Sequence, residues 1–172
     1  MNPADTFARA SGAAARREAL TAEIAARTGI DDAMIERLVR RFYDAVREDP
    51  LLAPIFAAHI REWEPHLQRM FAFWSSVALM TGRYHGQPMQ KHQPLPVDGR
   101  HFDRWLHLFE ATAWRECPPE AAAHFIERAR RIAESLEMGI AGARGVFLRP
   151  GERYRMAEAD IAIRQAEPSP TR

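Results

Sequence analysis

Four stretches of the chain carry apolar side chains at helical spacing, and proline or glycine punctuates the intervals between them. The first has Ile35, Leu38, Val39, Phe42, Tyr43 and Val46 at offsets of three, four, seven and eight. That spacing predicts a helix with a wide apolar stripe, capped by Asp31 or Asp32 and stopped at Asp49-Pro50. The second runs from near Glu62 to about Met80 and brings His66, Met70, Phe73 and Trp74 onto one face. Pro65 falls in its first turn, where the missing amide has no intrahelical partner to lose. The third opens at Asp98 or Arg100 and carries Phe102, Trp105, Leu106, Phe109 and Ala113. The fourth starts after Cys117-Pro118-Pro119-Glu120, carries Phe125, Ala129, Ile132, Ala133 and Leu136, and has Gly139 as its expected C-terminal cap.

The intervals are informative too. Leu51 to Ile60 is too short for a long helix and too apolar for a free loop, so it reads as a corner packed on the core. Residues 82–99 hold three glycines and three prolines and cannot form one regular helix. Long irregular segments inside a compact domain are usually functional, and Tyr84, Met89, Leu95 and Val97 give this one enough apolar content to pack. No alternating pattern suggests strands. The expected architecture is therefore all-α, with a domain over 29–142. A partly helical N-terminal extension over 1–28 and a C-terminal tail over 143–172, with a short helix near Arg155 to Arg164, flank it.

Composition narrows the class of function. The 172 residues suffice for one domain with an ordinary core. Net charge is +1, and 23 of the 24 basic residues are arginines with no concentrated patch, which gives no electrostatic case for nucleic acid. The single cysteine, Cys117, excludes an intrachain disulfide and any cysteine-built zinc or iron–sulfur site. Neither a membrane span nor a signal-peptide core is visible, so a cytoplasmic location is the expectation.

Seven histidines are present. His59, His101, His107 and His124 fall on or near polar helix faces or ends, and nothing singles them out. No Glu-x-x-His pair, zinc-protease motif, phosphate-cradling loop or serine-nucleophile elbow occurs. What remains is a set of polar-tipped aromatics within apolar stripes, namely Tyr43, Trp74 and Trp105, together with His66. Buried phenol and indole groups need hydrogen-bond partners, so the set describes a pocket with several converging donors. Haem suits such a pocket, because one imidazole holds the iron and groups on the far side act on its ligand.

The stretches RFYDAVREDPLLAPIF, EWEPHLQRMFAFWSS, TGRYHGQPMQKHQPLP and HFDRWLHLFEAT, in this order, resemble the group III truncated haemoglobins over roughly residues 30–140. The resemblance implies a two-over-two helical sandwich binding haem b. It implies that His92, in the K-H-x-x-L-P segment, is the proximal iron ligand. It implies that Tyr43, His66 and Trp105 are the distal residues, His66 as the gate, with Met70 one turn beyond it. Phe56 matches the aromatic that packs on haem at the corner. Phe73, Trp74 and Leu95 are further expected cofactor contacts, and Arg69 and Lys91 are expected to pair with haem propionates.

On that reading the chain binds dioxygen, nitric oxide or similar diatomics. A phenol and an indole donating to a partly negative ligand favour retention, or redox chemistry such as nitric oxide dioxygenation or peroxide reduction, over easy delivery. Such chemistry needs a separate electron-donating reductase, since no flavin or nicotinamide module is apparent. A gas sensor signalling through the tail and a haem-free helical interaction module are the competing readings.

Overall fold

A computed structural model describes residues 3–156. Within them lie helices α1 (Pro3–Thr28), α2 (Asp32–Glu48), α3 (Ala53–His59), α4 (Trp63–Leu79), α5 (Pro88–His92), α6 (Gly99–Glu116) and α7 (Pro119–Ala143), with no strand among the described residues. Helix α2 packs on α4 and α6, and α7 closes the set by packing on α6 and α4. This is the two-over-two arrangement, and α1 lies across α4 and α7.

Local chemistry explains the element ends. The Asp31 side chain accepts the Met34 amide at 2.7 Å and caps α2. Asp98 does the same for α6, accepting the Arg100 amide at 3.0 Å, while His101 Nδ1 accepts the Asp98 amide at 3.1 Å in return. Helix α4 ends on Met80 in the left-handed conformation (φ 60°), followed by Gly82 at φ 71°. The last carbonyls of α4 are satisfied from outside the helix. Arg128 donates to Val77, His124 Nε2 to Ala78 and Thr21 to Leu79, at 3.1, 2.8 and 2.7 Å. His124 and His101 are thus buried. The sequence reading left both on polar faces or ends because a histidine serving as a capping group has no periodic signature.

The apolar stripes of α2, α4, α6 and α7 meet in a core containing Leu38, Phe42, Val46, Trp74, Phe109 and Phe125. A second cluster forms where Ile55, Phe102, Leu136 and Ile140 meet Val97, Tyr154 and Met156. Two further expectations change here. Gly139 is interior to α7, which continues to Ala143; the missing side chain makes room for Met89, whose Sδ would overlap a Cβ at that position. Residues 144–156 do not leave the domain as a tail. They run without helix back over α6 and α7, burying Tyr154 and Met156. The helix expected near Arg155 to Arg164 falls mostly outside the described residues; Arg155 and Met156 are not helical.

Candidate functional site

The candidate residues converge from four helices. Helix α2 brings Tyr43, α3 brings Phe56, the first turn of α4 brings His66, and α6 brings Trp105. Tyr43 is the hub. Its ring meets Phe56 edge-on at 5.7 Å, Trp63 at 5.8 Å and His66 edge-on at 5.1 Å between centroids. Trp63, one helical turn before His66, stands edge-on to that imidazole at 5.9 Å and stacks on Phe56 at 6.4 Å. Sequence reasoning passed over Trp63 because it serves there as the start of a helix. Its place three residues before an apolar-face histidine is the signal that could have found it.

Phe42 links this group to the core by edge contacts to Trp105 and Phe109, both at 5.2 Å. Trp105, Phe109 and Trp74 then stack nearly parallel at 5.3 and 4.7 Å. Trp74 is almost fully buried in that stack and meets Phe125 and Phe73 edge-on. Phe73 also touches Tyr84. Met70 and Phe73 line the half-buried face of α4.

Across from His66 stands α5, a single helical turn inside the segment expected to be irregular. Pro88 occupies its first position and His92 its last. The His92 ring reaches back along that turn, Nδ1 lying 2.7 Å from the Pro88 carbonyl. A carbonyl only accepts, so Nδ1 carries the proton and Nε2 is left as a lone-pair donor. A bond of this kind fixes a histidine in the tautomer that a metal ion requires. Burial also pulls the His92 imidazolium below its ordinary pKa, against the opposing pull of the Pro88 carbonyl. Leu95 follows, half-buried, its amide bonded to the His92 carbonyl at 3.0 Å.

Several polar atoms of the candidate residues have no partners of their own. His66 Nε2 is buried without one. No hydrogen bond reaches the Tyr43 hydroxyl or the indole nitrogens of Trp74 and Trp105 among the described residues. Burial pushes the Tyr43 phenol well above its usual pKa, so it keeps its proton. Burial lowers His66 to about 4, with the charges of Arg69 and His92 adding to the effect, so that imidazole is neutral near pH 7.

The first turn of α4 is braced rather than frayed. Arg40 grips Glu64 through two hydrogen bonds of 2.9 Å, and the Arg47 guanidinium lies 5.1 Å above the Trp63 ring. Arg69 and Lys91 are exposed, and neither forms an ion pair among the described residues. An open groove along the outer face of α2, lined by Glu36, Arg37 and Asp44 among others, holds none of the candidates.

The buried, unpartnered Nε2 of His66 and the tautomer-fixed imidazole of His92 suit a group that brings most of its own metal ligands. Among the described residues no three His, Cys, Asp or Glu side chains could hold a bare ion. A porphyrin supplies the remaining nitrogens, so haem fits this donor set and a protein-only metal centre does not.

Comparison with known proteins agrees. Residues 27–137 match the family model for bacterial-like globins. Over 113 residues the chain is 34% identical to the group 3 truncated hemoglobin ctb of Campylobacter jejuni, spanning 63% of this chain and 89% of that protein. It is 29% identical over 79 residues to the group 2 truncated hemoglobin YjbI of Bacillus subtilis, spanning 45% of this chain and 60% of that one. The crystal structure of the group III truncated hemoglobin from Campylobacter jejuni superposes with a TM-score of 0.59 at 34% identity, over 63% of this chain and 89% of that one.

Proposed function

This chain belongs to the bacterial-like globin family, as a truncated haemoglobin of group III, and from that premise we propose that it holds haem b through His92 and binds dioxygen and related diatomics on the face of Tyr43, His66 and Trp105. The observation that supports this most is a tautomer-fixed His92 together with a buried, unpartnered Nε2 on His66. The b type follows from the thiols: Cys117 is the only cysteine and is buried, so thioether attachment has no residues to use.

When bound, haem supplies a ferrous centre that takes a diatomic ligand and can exchange electrons with it. The chain's own groups do the rest. Tyr43 holds a proton on Oη and Trp105 on Nε1, each facing a site with no acceptor from the protein. A hydrogen bond to a charged acceptor contributes about 1.5–3 kcal/mol, so the two together slow ligand release by roughly 10²-fold or more. The aromatic wall of Phe56, Trp63 and Phe42 keeps water from competing for those donors. His66, neutral and unpartnered, turns to admit or retain a ligand. Arg69 and Lys91, exposed and uncommitted, supply cations for the propionates.

Slow release favours retention or redox chemistry over delivery. We read the physiological reaction as nitric oxide dioxygenation or peroxide reduction, fed by a separate reductase. The test is to mix the ferrous, dioxygen-equilibrated protein with nitric oxide and follow its absorption spectrum together with nitrate. Stoichiometric nitrate with conversion to the ferric spectrum is expected. Absence of a haem spectrum refutes haem binding, and dioxygen loss without nitrate refutes the dioxygenase reading.

A further inference from the structure

The family match ends at residue 137, yet the segment that carries His92 is held from beyond it. On one side of α5, Met89 occupies the notch over Gly139. On the other, Arg144 reaches under the chain that leaves α5. Its Nη2 donates to the Leu95 carbonyl at 2.5 Å and its Nη1 to the Val97 carbonyl at 3.2 Å. Leu95 is itself bonded to the His92 carbonyl, so two hydrogen bonds in series link Arg144 to the proposed iron ligand.

Arg144 is held in turn by residues 145–156. Its guanidinium lies 5.4 Å above the Tyr154 ring, and Nη1 also reaches the Tyr154 hydroxyl and Met156 Sδ at 3.2 and 3.3 Å. This strap is bound to the globin helices by groups that tolerate little displacement. The Tyr154 amide donates to buried Glu137 at 2.7 Å, the Met156 amide to buried Asp98 at 3.1 Å, and the Tyr154 carbonyl accepts from Gly99 at 2.9 Å. Arg153 bridges Glu137 and Asp103. A Cβ at Gly99 would come within 2.8 Å of Glu137 Oε1 and 3.1 Å of the Tyr154 carbonyl, so the strap lies directly on the backbone there. Arg144 Nε is buried without a partner, a cost accepted because the other contacts fix the guanidinium.

We propose that Arg144, braced by the strap 145–156, is a positioning residue that clamps the Leu95–Val97 backbone and so sets the placement of His92. The proposal rests on the reading of His92 as the haem ligand. It is tested with Arg144→Ala, with Gly99→Ala to lift the strap while keeping Arg144, and with Phe147→Ala, at a fully exposed side chain, as the control. Three readouts are taken on the protein as purified: amide hydrogen exchange, haem release to excess apomyoglobin, and the iron–histidine stretching band of the ferrous form.

Both clamp variants are expected to raise exchange at residues 91–97 and to speed haem release, each roughly tenfold, and to shift the stretching band. Amides of α2 keep their protection, and the control matches the parent. Unchanged exchange and release in both variants overturns the proposal. So does an equal loss of protection in α2 and in 91–97, which marks a merely structural role. If the parent protein takes up no haem, the functional reading fails, and selective exchange at 91–97 still decides for or against the clamp.

Discussion

Replacing Tyr43 with Phe removes one hydroxyl and is expected to weaken ligand binding while leaving the stability of the ligand-free protein nearly unchanged. In the structure the phenol is 6% exposed and its oxygen has no hydrogen-bond partner among the described residues. Deleting the hydroxyl while keeping the ring and its edge contacts to Phe56 and His66 breaks no hydrogen bond, so the stability of the ligand-free protein should change by less than ~1 kcal/mol. With a diatomic ligand present the hydroxyl finds its acceptor, and its loss removes about 1.5–3 kcal/mol, a factor of roughly 10 to 150 in the rate of release. Because burial keeps the phenol protonated, the effect should not vary between pH 6 and 9, a range chosen about neutrality. Stopped-flow displacement of dioxygen by carbon monoxide measures the rate, and thermal unfolding measures the stability. An unchanged rate, or a fall in stability of the size expected for a broken hydrogen bond, would show that the hydroxyl is engaged elsewhere.

Three further outcomes follow from the packing. Phe109→Ala removes the middle ring of the Trp105–Phe109–Trp74 stack, whose side chain is fully buried, and should cost about 3–5 kcal/mol in denaturant unfolding; a loss below about 1 kcal/mol would mean the stack closes up. Asp98 is fully buried; burial alone would raise its pKa, but hydrogen bonds from the Arg100 side chain and amide and from the Met156 amide hold it at about 2, against an ordinary value of 3.8. A depressed folded pKa stabilises above the unfolded value and is lost as pH falls toward the folded one. Asp98→Asn should therefore cost about 2 kcal/mol at pH 7, with the gap to the parent closing between about pH 4 and 2; a gap that does not depend on pH contradicts this. Gly139→Ala gains up to ~1 kcal/mol of helix propensity but displaces Met89 from α5, so stability should change little while haem release quickens. A clear gain in stability with unchanged haem retention would argue against the Met89 contact.

The helices that bury wide stripes were legible in the sequence because burial enforces a period. Ile35 to Val46 and Phe102 to Ala113 mark α2 and α6 to within three residues at each end. The candidate site carries a different signal, since Tyr43, His66 and Trp105 interrupt those stripes with polar tips that the core does not need. Gly139 misled because one residue type serves both as a helix cap and as a notch, and only the neighbouring Met89 tells which. Residues 144–156 were opaque because they hold on through carbonyls, ion pairs and two buried side chains, a mode of packing without a repeat. His124 and Arg128 were missed likewise: capping the end of another helix depends on position in space alone.

The central claim is that His92, fixed by the Pro88 carbonyl, supplies the nitrogen that holds the iron. The most direct test is resonance Raman of the ferrous protein in the iron–histidine stretching region, for the parent and for His92→Gly with and without added imidazole. The account predicts a band in the parent, none in the variant, and a band restored at a shifted frequency by free imidazole. A variant that keeps the parent's band without imidazole would contradict it.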